Sequence, residues 1–292
     1  MELRQIEHVL AVVEHGSFTA AARSASIVQS ALSTSIRNLE RELGAPLFER
    51  TTRRVSLSQA GMAFLPAARR MLAESSAAAD AVRAVAGLHQ GQVAIGMIQW
   101  LGPVDLPSGL AAFHRKYPGI QISVWNATVA VLRERLRDGE LDLAYLGSDE
   151  PVADDLVGRT VFGERLVLIM PTDHPLAGRA RVRWAELAGE PFVELTEGSG
   201  VTTILGRVTG RLGLRRRIVG RVTQVEVQLA LVRNGIGVAV VQETLARSTS
   251  GLAIAELAEP ETRWTVTLVG RAPGPANPAA VALLEHLVPS HR

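Results

Sequence analysis

The chain has 292 residues, of which 47% are hydrophobic and 21% charged, and its formal net charge is +2. Because single hydrophobic cores rarely grow beyond about 250 residues, more than one domain is expected. The nearly balanced charge excludes a protein that binds polyanions over its whole surface.

The absence of cysteine excludes disulfides and thiolate metal sites, and it fits a cytoplasmic protein. Charged residues interrupt the apolar positions of the first twenty residues, so no signal peptide is predicted. No run reaches the roughly 18 apolar residues that a membrane span requires.

Arginine is clustered in one part of the chain. Residues 25–70 hold seven arginines against three glutamates, whereas Lys116 is the only lysine of the chain. A GC-rich genome explains the general preference for arginine over lysine, so only this local cluster counts as evidence for a nucleic-acid partner.

Residues 1–88 are predicted to be nearly all helical. Apolar residues at helical spacing from Leu3 to Val13 predict a first helix that ends at Gly16. Ser17 or Phe18 begins a short second helix, and QSALSTSIRNLERELG (29–44) forms a third, which Gly44 and the following proline end. Two helices joined by a tight connection make a helix-turn-helix pattern.

The third helix has an apolar stripe and a polar face of unusual composition. The stripe consists of Leu32, Ile36, Leu39 and Leu43. The polar face carries Gln29, Ser30, Ser33, Thr34, Arg37 and Arg41. A solvated face favours good helix formers such as Glu and Lys, and Ser and Thr are mediocre ones. Gln suits adenine, Arg suits guanine and small hydroxyl side chains allow close approach, so contact with base edges in a DNA major groove is one interpretation of this face. A solvated face is the alternative for the helix taken alone, and the wing and linker predicted below favour DNA.

The segment LFERTTRRVSLS (47–58) predicts a short hairpin, because Val55 and Leu57 alternate with polar residues. Arg53 and Arg54 would lie at its tip. A solvated basic loop is the alternative on charge alone. The position directly after the third helix favours a wing whose arginines bind phosphates and set the register on DNA.

Residues from Gln59 to about Leu88 predict a long alanine-rich helix. Its apolar side chains recur near the 3.5-residue period of a coiled coil, so a second copy of the helix is the simplest partner. The predicted seam consists of Phe64, Ala67, Met71, Ala78, Val82 and Val85. Pro66 predicts a bend, and Glu74 interrupts the seam.

Beyond a polar hinge at GLHQGQ (87–92), strand and helix patterns alternate. Strands are predicted over 93–98, 121–127, 141–147, 165–170, 191–195, 216–222 and 237–241, and helices over 106–116, 128–138, from residue 202 and over 225–234. Apolar strands separated by amphipathic helices predict a parallel sheet covered on both faces. About 200 residues are generous for one such sheet, so two α/β lobes with a cleft between them are expected.

The whole chain resembles the LysR-type bacterial transcriptional regulators. The resemblance is carried by FTAAARSASIVQSALSTSIRNLERELGAPLFERTTRRVSLSQAG (18–61), ERLVLIMPTDHPLA (164–177) and LALVRNGIGVAVV (229–241). The first segment matches the family's DNA-binding signature nearly position for position. It departs at Ser30 and Thr34, where proline and a longer polar or basic residue are frequent, and at Ser35, where glutamine is frequent. These departures bear on the operator sequence.

The resemblance implies an all-α winged helix-turn-helix domain (1–58), a linker and dimerisation helix (59–88) and an α/β, two-lobed, periplasmic-binding-protein-like effector domain (89–292). Lobe I would span about 91–161 and 267–292, and lobe II about 162–266. It further implies a cytoplasmic regulator that binds double-stranded promoter DNA as a homodimer or homotetramer, with RNA polymerase as a further partner. A small effector, an organic anion, would bind between the lobes, with no other cofactor, no metal and no enzymatic activity.

The predicted effector-binding residues are Gln99, Trp100, Thr128, Gly147, Thr202 and Thr203. The last two follow EGSG and begin a helix, whose N-terminus suits a carboxylate. Thr at a helix start is also a common cap, and Trp100 is also compatible with a core position.

Other classes fit the sequence less well. GSGVTT (198–203) lacks the third glycine of a dinucleotide-binding loop, and the seven histidines lie too far apart for a metal site. No nucleophile and base constellation supports an enzyme. A solute-binding protein of the two-lobed type would need a signal peptide and would have no use for residues 1–88.

Overall fold

The computed structural model describes residues 1–50, 55–85, 90–258 and 262–288. Its contacts divide the chain into two units. The first comprises residues 1–87 and 137–140, and the second residues 88–136 and 141–292. Arg53 and Arg54 at the predicted wing tip, and the first half of the predicted hinge (87–89), lie outside the described residues. None of the described helices is long and apolar enough to cross a membrane.

The first unit begins with the three predicted helices, α1 (Leu3–His15), α2 (Phe18–Ser24) and α3 (Gln29–Leu43). Gly16 and Gly44 end α1 and α3 in the left-handed conformation, with φ of 63° and 72°. Ser17 accepts a hydrogen bond from the backbone N–H of Ala20 and so caps α2. The helix-turn-helix prediction is therefore confirmed, with its helix ends set by local cap residues.

The core of this unit lies between the three helices and the hairpin. Leu32, Ile36 and Leu39 of α3 are fully buried, as predicted. The prediction that Leu43 belongs to the buried stripe is wrong, since its side chain is 41% exposed. Leu43 is the last residue of α3, beside the Gly44 cap, and lies beyond the part of the helix that the core covers.

The predicted hairpin is formed by β1 (Phe48–Arg50) and β2 (Val55–Leu57), which pair antiparallel. A carboxylate oxygen of Glu40 accepts hydrogen bonds from the backbone N–H groups of Leu47 and Phe48, at 2.8 and 3.4 Å. This contact ties the C-terminal half of α3 to the start of the hairpin.

The predicted long helix is α4 (Gln59–Val85), which continues through Pro66. Phe64 is partly buried and packs against the core of its own domain, and its predicted place in a dimer seam stays a prediction. Met71, Ala78 and Val82 of the seam are exposed in the single chain, and Val82 is 74% exposed.

The second unit contains the strands β3 (Gly91–Met97), β4 (Ile120–Asn126), β5 (Leu143–Ser148), β6 (Leu156–Met170), β7 (Arg181–Val182), β8 (Pro191–Leu195), β9 (Arg217–Val222), β10 (Ala239–Gln242), β11 (Ala253–Leu257) and β12 (Arg263–Arg271). Its helices are α5 (Leu106–Lys116), α6 (Val129–Asp138), α7 (Gly200–Arg211), α8 (Val225–Arg233), α9 (Glu243–Ser248) and α10 (Pro278–Leu287), with a short 3-10 helix over Trp184–Leu187. The predicted alternation of strands and helices is confirmed for β3 to β5 and β8 to β10.

The strands do not form the all-parallel sheet that the sequence predicts. The main sheet has the order β4-β3-β5-β12-β6-β11-β7, with β10 also paired to β6, and β8 and β9 form a separate parallel pair. β12 runs antiparallel to both β5 and β6, and β10 and β11 run antiparallel to β6. The sheet is therefore mixed, and hydrophobic periodicity, which carries no strand direction, could not show this.

The strand β6 belongs to both halves of this unit. Its first half pairs with β12, and its last residues, 166–170, lie between β10 and β11. Val167 and Ile169 of this last part join Val193, Val232 and Val241 in a core separate from the one around β3 and β5.

Glu164 links β6 to the start of α9. Its carboxylate accepts hydrogen bonds from the backbone N–H and the hydroxyl of Thr244, at 2.6 and 2.9 Å. Burial of the carboxyl raises its pKa above the usual 4.5 and outweighs the lowering by these hydrogen bonds.

Because the folded state holds this proton more tightly than the unfolded state does, the contribution of Glu164 to stability is present at low pH and is lost as pH rises through the raised pKa. We expect Glu164→Gln to gain melting temperature relative to the wild type as pH increases from about 4 to about 7. The matched control is Glu186→Gln. Hydrogen bonds from Arg183 lower the pKa of Glu186, so its contribution to stability is already present over most of this range and Glu186→Gln should show no gain in melting temperature relative to the wild type as pH rises. Parallel pH profiles for wild type and Glu164→Gln would contradict this assignment.

Candidate DNA interface and ligand cleft

The exposed face of α3 carries most of the predicted DNA-binding residues. Gln29, Ser30, Thr34 and Arg37 are exposed on it. An open groove lies between the start of α1 and this face, lined by Glu2, Gln5, Ser30, Ala31, Thr34, Ser35 and Asn38. Gln5 and Asn38 were not predicted. The sequence could have indicated Asn38, because a residue four positions after Thr34 lies on the same face of the helix.

The prediction that Ser33 lies on the exposed face is wrong, because Ser33 is only 7% exposed. It follows Leu32 directly and precedes Ile36 by three residues, which places it at the edge of the apolar stripe. Arg37 lies along the helix, where its Nε donates to the carbonyl of Ser33 and an Nη donates to the hydroxyl of Thr34. Arg37 and Thr34 therefore form one polar unit on the exposed face.

Ser35 joins α3 to α1. Its hydroxyl lies 2.8 Å from Nδ1 of His8, a side chain that is nearly buried. Burial, with a smaller effect of nearby Arg4, lowers the pKa of His8. LysR-type regulators often carry glutamine at this position. In this chain Ser35 instead contacts α1 and contributes to the packing of the two helices.

The first turn of α3 is open to an anion. Val28 occupies its N-cap and gives no side-chain hydrogen bond, and Val28 is itself well exposed. The N–H groups of a first helical turn have no partner within the helix, and they carry partial positive charge. Gln29 and Ser30 therefore lie beside backbone donors that suit a DNA phosphate.

A small cavity of about 10 Å³, roughly the smallest space that can hold one water, lies between the two cores of the second unit, in the predicted cleft. It is lined by Ile98, Gln99, Trp100, Leu195, Ser199, Gly200, Val201, Val225, Gln242 and Trp264. Of the six predicted effector-binding residues, Gln99 and Trp100 line it directly.

Thr202 and Thr203 do not line the cavity and do not cap α7. The helix begins at Gly200, two residues before the predicted start, and Ser199 is its N-cap. The hydroxyl of Thr202 donates to the carbonyl of Leu195, and that of Thr203 donates to the carbonyl of Ser199. Both hydroxyls therefore bind the backbone next to the cavity.

Thr128 contacts the loop before α7 without lining the cavity. A Cβ on Gly198 would lie 3.2 Å from the hydroxyl of Thr128, and the backbone N–H of Ala130 donates to the carbonyl of Gly198. Thr128 thus belongs to the packing between α6 and this loop.

Trp264, at the start of β12, was not predicted and lines the cavity. It is only 2% exposed. A methyl group on Gly147, at the end of β5, would overlap the indole ring, and one on Gly200 would lie 2.7 Å from its Cζ3. Gly147 is therefore required by the indole, while its predicted contact with the effector stays a prediction. The sequence alone does not show that Gly147 and Gly200 lie opposite Trp264, because the three residues are far apart along the chain. No sequence signal therefore pointed to Trp264.

Gly200 and Gly206 give a matched pair within α7. Gly200→Ala should destabilise the domain by about 1 to 3 kcal/mol, because the methyl group collides with Trp264 and with the carbonyl of Gly147. Gly206→Ala meets nothing within 4 Å and should stabilise the helix by about 0.5 to 1 kcal/mol. Chemical denaturation of both variants measures the difference, and equal midpoints would contradict the packing of Trp264 described here.

Two family models match the chain. The bacterial regulatory helix-turn-helix protein model of the lysR family matches residues 3–62, and the LysR substrate binding domain model matches residues 86–292. The crystal structure of full-length CbnR with its target DNA is similar in fold, with a TM-score of 0.65 and 24% identity over 98% of this chain and 99% of that one.

Curated relatives agree with these models. A hydrogen peroxide-inducible genes activator of Pectobacterium carotovorum is 30% identical over 278 residues, which cover 94% of this chain and 92% of the relative. The DNA-binding transcriptional dual regulator OxyR of Escherichia coli is 30% identical over 278 residues, with 94% and 91% covered. These relatives regulate transcription and are not enzymes. On these matches the chain belongs to the LysR family of DNA-binding transcriptional regulators, with an N-terminal helix-turn-helix domain and a C-terminal effector-binding domain.

Proposed function

We propose that this LysR-family regulator is a cytoplasmic homodimer or homotetramer that reads promoter DNA with α3 and changes its DNA contacts when a small anionic effector binds in the cleft. The observation that carries the proposal is the exposed polar face of α3, held in place by the buried Leu32, Ile36 and Leu39. RNA polymerase is the further partner that regulation of a promoter requires.

The residues on this face divide into two roles. Gln29 can donate and accept hydrogen bonds at the edge of an adenine, and Ser30 and Thr34 allow close approach to either base type. The uncapped first turn of α3 and the wing arginines Arg53 and Arg54 supply phosphate contacts, which fix register and orientation. Arg37, bound to Thr34 in the absence of DNA, has a guanidinium that suits guanine.

The cleft residues favour a ligand that binds without covalent chemistry. Relatives include hydrogen peroxide-inducible genes activators, but this chain has no cysteine. A thiol-based response to peroxide therefore cannot operate in it. Gln99 and Trp100 at the cavity, with Thr128, Gly147, Thr202 and Thr203 around it, remain the proposed effector region. The effector can regulate only if it binds one arrangement of the protein better than another.

A solute-binding protein without DNA function is the second candidate, since a two-lobed α/β domain suits it equally well. The helix-turn-helix of residues 3–62 argues against it, because such a protein would have no use for an exposed α3 face.

A substitution that removes a base contact and one that removes a phosphate contact should change DNA affinity in different ways. Gln29→Ala should weaken binding to the regulator's own upstream DNA by roughly 5- to 150-fold, the loss of about 1 to 3 kcal/mol, with little change on random DNA. Arg53→Ala should weaken both and reduce the salt-dependence slope by about 0.9. Fluorescence anisotropy at several salt concentrations measures both quantities.

Arg247→Ala is the matched control for charge, because it removes one positive charge from the second unit, where Arg247 pairs with Glu243. It should leave binding to both DNAs unchanged. Equal losses on upstream and random DNA for Gln29→Ala would contradict the base-reading role.

The exposed apolar residues of α4 predict self-association through this helix. Val82→Glu places a charge on the seam and should shift the oligomer equilibrium toward the monomer in analytical ultracentrifugation. Val152→Glu changes an exposed valine in the loop before β6 and serves as the control. If Val82→Glu and Val152→Glu sediment alike as intact oligomers, α4 is not the dimerisation element.

A further inference from the structure

Val28 is an apolar side chain that lies open to solvent at the start of α3. It occupies the N-cap of the helix and is 68% exposed. Valine is among the least favoured N-cap residues, because it has no side-chain oxygen to accept hydrogen bonds from the first-turn N–H groups. Val28 therefore contributes neither a cap nor core burial. A residue that breaks a local rule of stability in this way is typical of a functional site.

The turn before α3 sets the direction of this side chain. Ser26 adopts the left-handed conformation, with φ of 55°, and Ile27 packs against the core of the first unit. Val28 is extended, with φ of −76° and ψ of 144°. Successive side chains of an extended segment point to opposite sides, so the inward packing of Ile27 directs Val28 outward.

The backbone holds Val28 in this orientation. Its carbonyl accepts hydrogen bonds from the backbone N–H groups of Ala31 and Leu32, at 3.0 and 3.2 Å, and Leu32 is fully buried. A β-branched side chain has few χ1 rotamers, so it loses little conformational entropy when it packs against a partner. Val28 is therefore preorganised for contact with a rigid surface.

The neighbours of Val28 indicate which surface that is. Gln29 and Ser30 follow it directly, and Ala31, three residues further on, is exposed and lines the groove together with Ser30 and Thr34. The N-terminal residues of a recognition helix are those that contact base edges. Every base edge in the major groove carries hydrogen-bonding atoms, and thymine alone adds an apolar group, its C5-methyl.

We infer that Val28 packs against the C5-methyl group of a thymine and selects thymine at one position of each half-site. The inference rests on the proposed reading of promoter DNA by α3. The contact removes apolar surface of both partners from water, which none of the other three DNA bases offers in the major groove. Val28 is thus a specificity-determining residue that acts by apolar contact, whereas Gln29 acts by hydrogen bonds.

Uracil tests this contact, because it pairs with adenine as thymine does and lacks only the methyl group. The full chain is titrated by fluorescence anisotropy with its upstream DNA, in which each thymine of the protected region is replaced singly by uracil. At one thymine of a half-site the wild type should lose affinity about threefold to tenfold, the effect of burying one methyl group.

Two variants of Val28 identify that thymine. Val28→Ala should weaken binding to the unmodified DNA by a similar factor and show no further loss at that uracil, because both changes remove the same contact. Val28→Ser should lose the same discrimination. Serine is a favoured N-cap, so Val28→Ser should also raise the melting temperature, and a residue with a purely structural role would not separate stability from DNA binding in this way.

Val152→Ala is the matched control, because it makes the same chemical change at an exposed valine of the second unit. It should keep the affinity of the wild type for the unmodified DNA. It should also keep the response of the wild type to uracil at every position.

The inference is overturned if no single uracil weakens binding of the wild type, or if Val28→Ala and Val28→Ser respond to every uracil as the wild type does. The second result is expected if Val28 contacts only the sugar and phosphate backbone. If the wild type still prefers upstream over random DNA, such a result refutes the role of Val28 alone. If the wild type shows no such preference, the proposed function fails as well.

Discussion

Burial of Leu32, Ile36 and Leu39 fixes the orientation of α3, and the proposed DNA-reading face depends on it. These side chains are fully buried among α1, α2 and the start of the hairpin. Removing one such side chain typically costs about 2 to 5 kcal/mol, so the helix cannot rotate to expose them. Gln29, Ser30, Thr34 and Arg37 are therefore presented on the opposite side in one fixed arrangement. Glu40 also holds the start of the hairpin against α3, because its carboxylate accepts hydrogen bonds from the backbone N–H groups of Leu47 and Phe48.

The strand β6 joins the two halves of the second unit. β6 pairs with β12 in its first half and with β10 and β11 in its second. Trp264 lies at the start of β12, opposite Glu164 of β6, and its ring meets the ends of β5 and the beginning of α7. A ligand that changes the packing of this indole would act on both halves at once. If the ligand bound one packing of the indole better than another, it would have the differential affinity for two arrangements that the proposed regulation needs.

Local signals allowed much of the fold to be predicted from the sequence. Gly16 and Gly44 end helices because they adopt the left-handed conformation, and apolar runs located most of the strands. The strand directions were missed because periodicity carries no direction, and the first half of β6 was missed because β6 begins with mostly exposed residues. The strands β7, β11 and β12 were also missed. The cleft was predicted only in part. Trp264 meets Gly147 and Gly200 through contacts that span more than 60 residues, and no local pattern reports such a meeting.

The central claim is that the exposed side chains of α3 select the DNA sequence while its buried side chains hold the fold. The most direct test compares the wild type with the triple variant Gln29→Ala, Ser30→Ala and Thr34→Ala for affinity to upstream and random DNA of equal length. The variant should melt like the wild type, keep its affinity for random DNA and lose its preference for the upstream sequence. A variant that retains the wild-type preference would contradict the proposed role of these side chains.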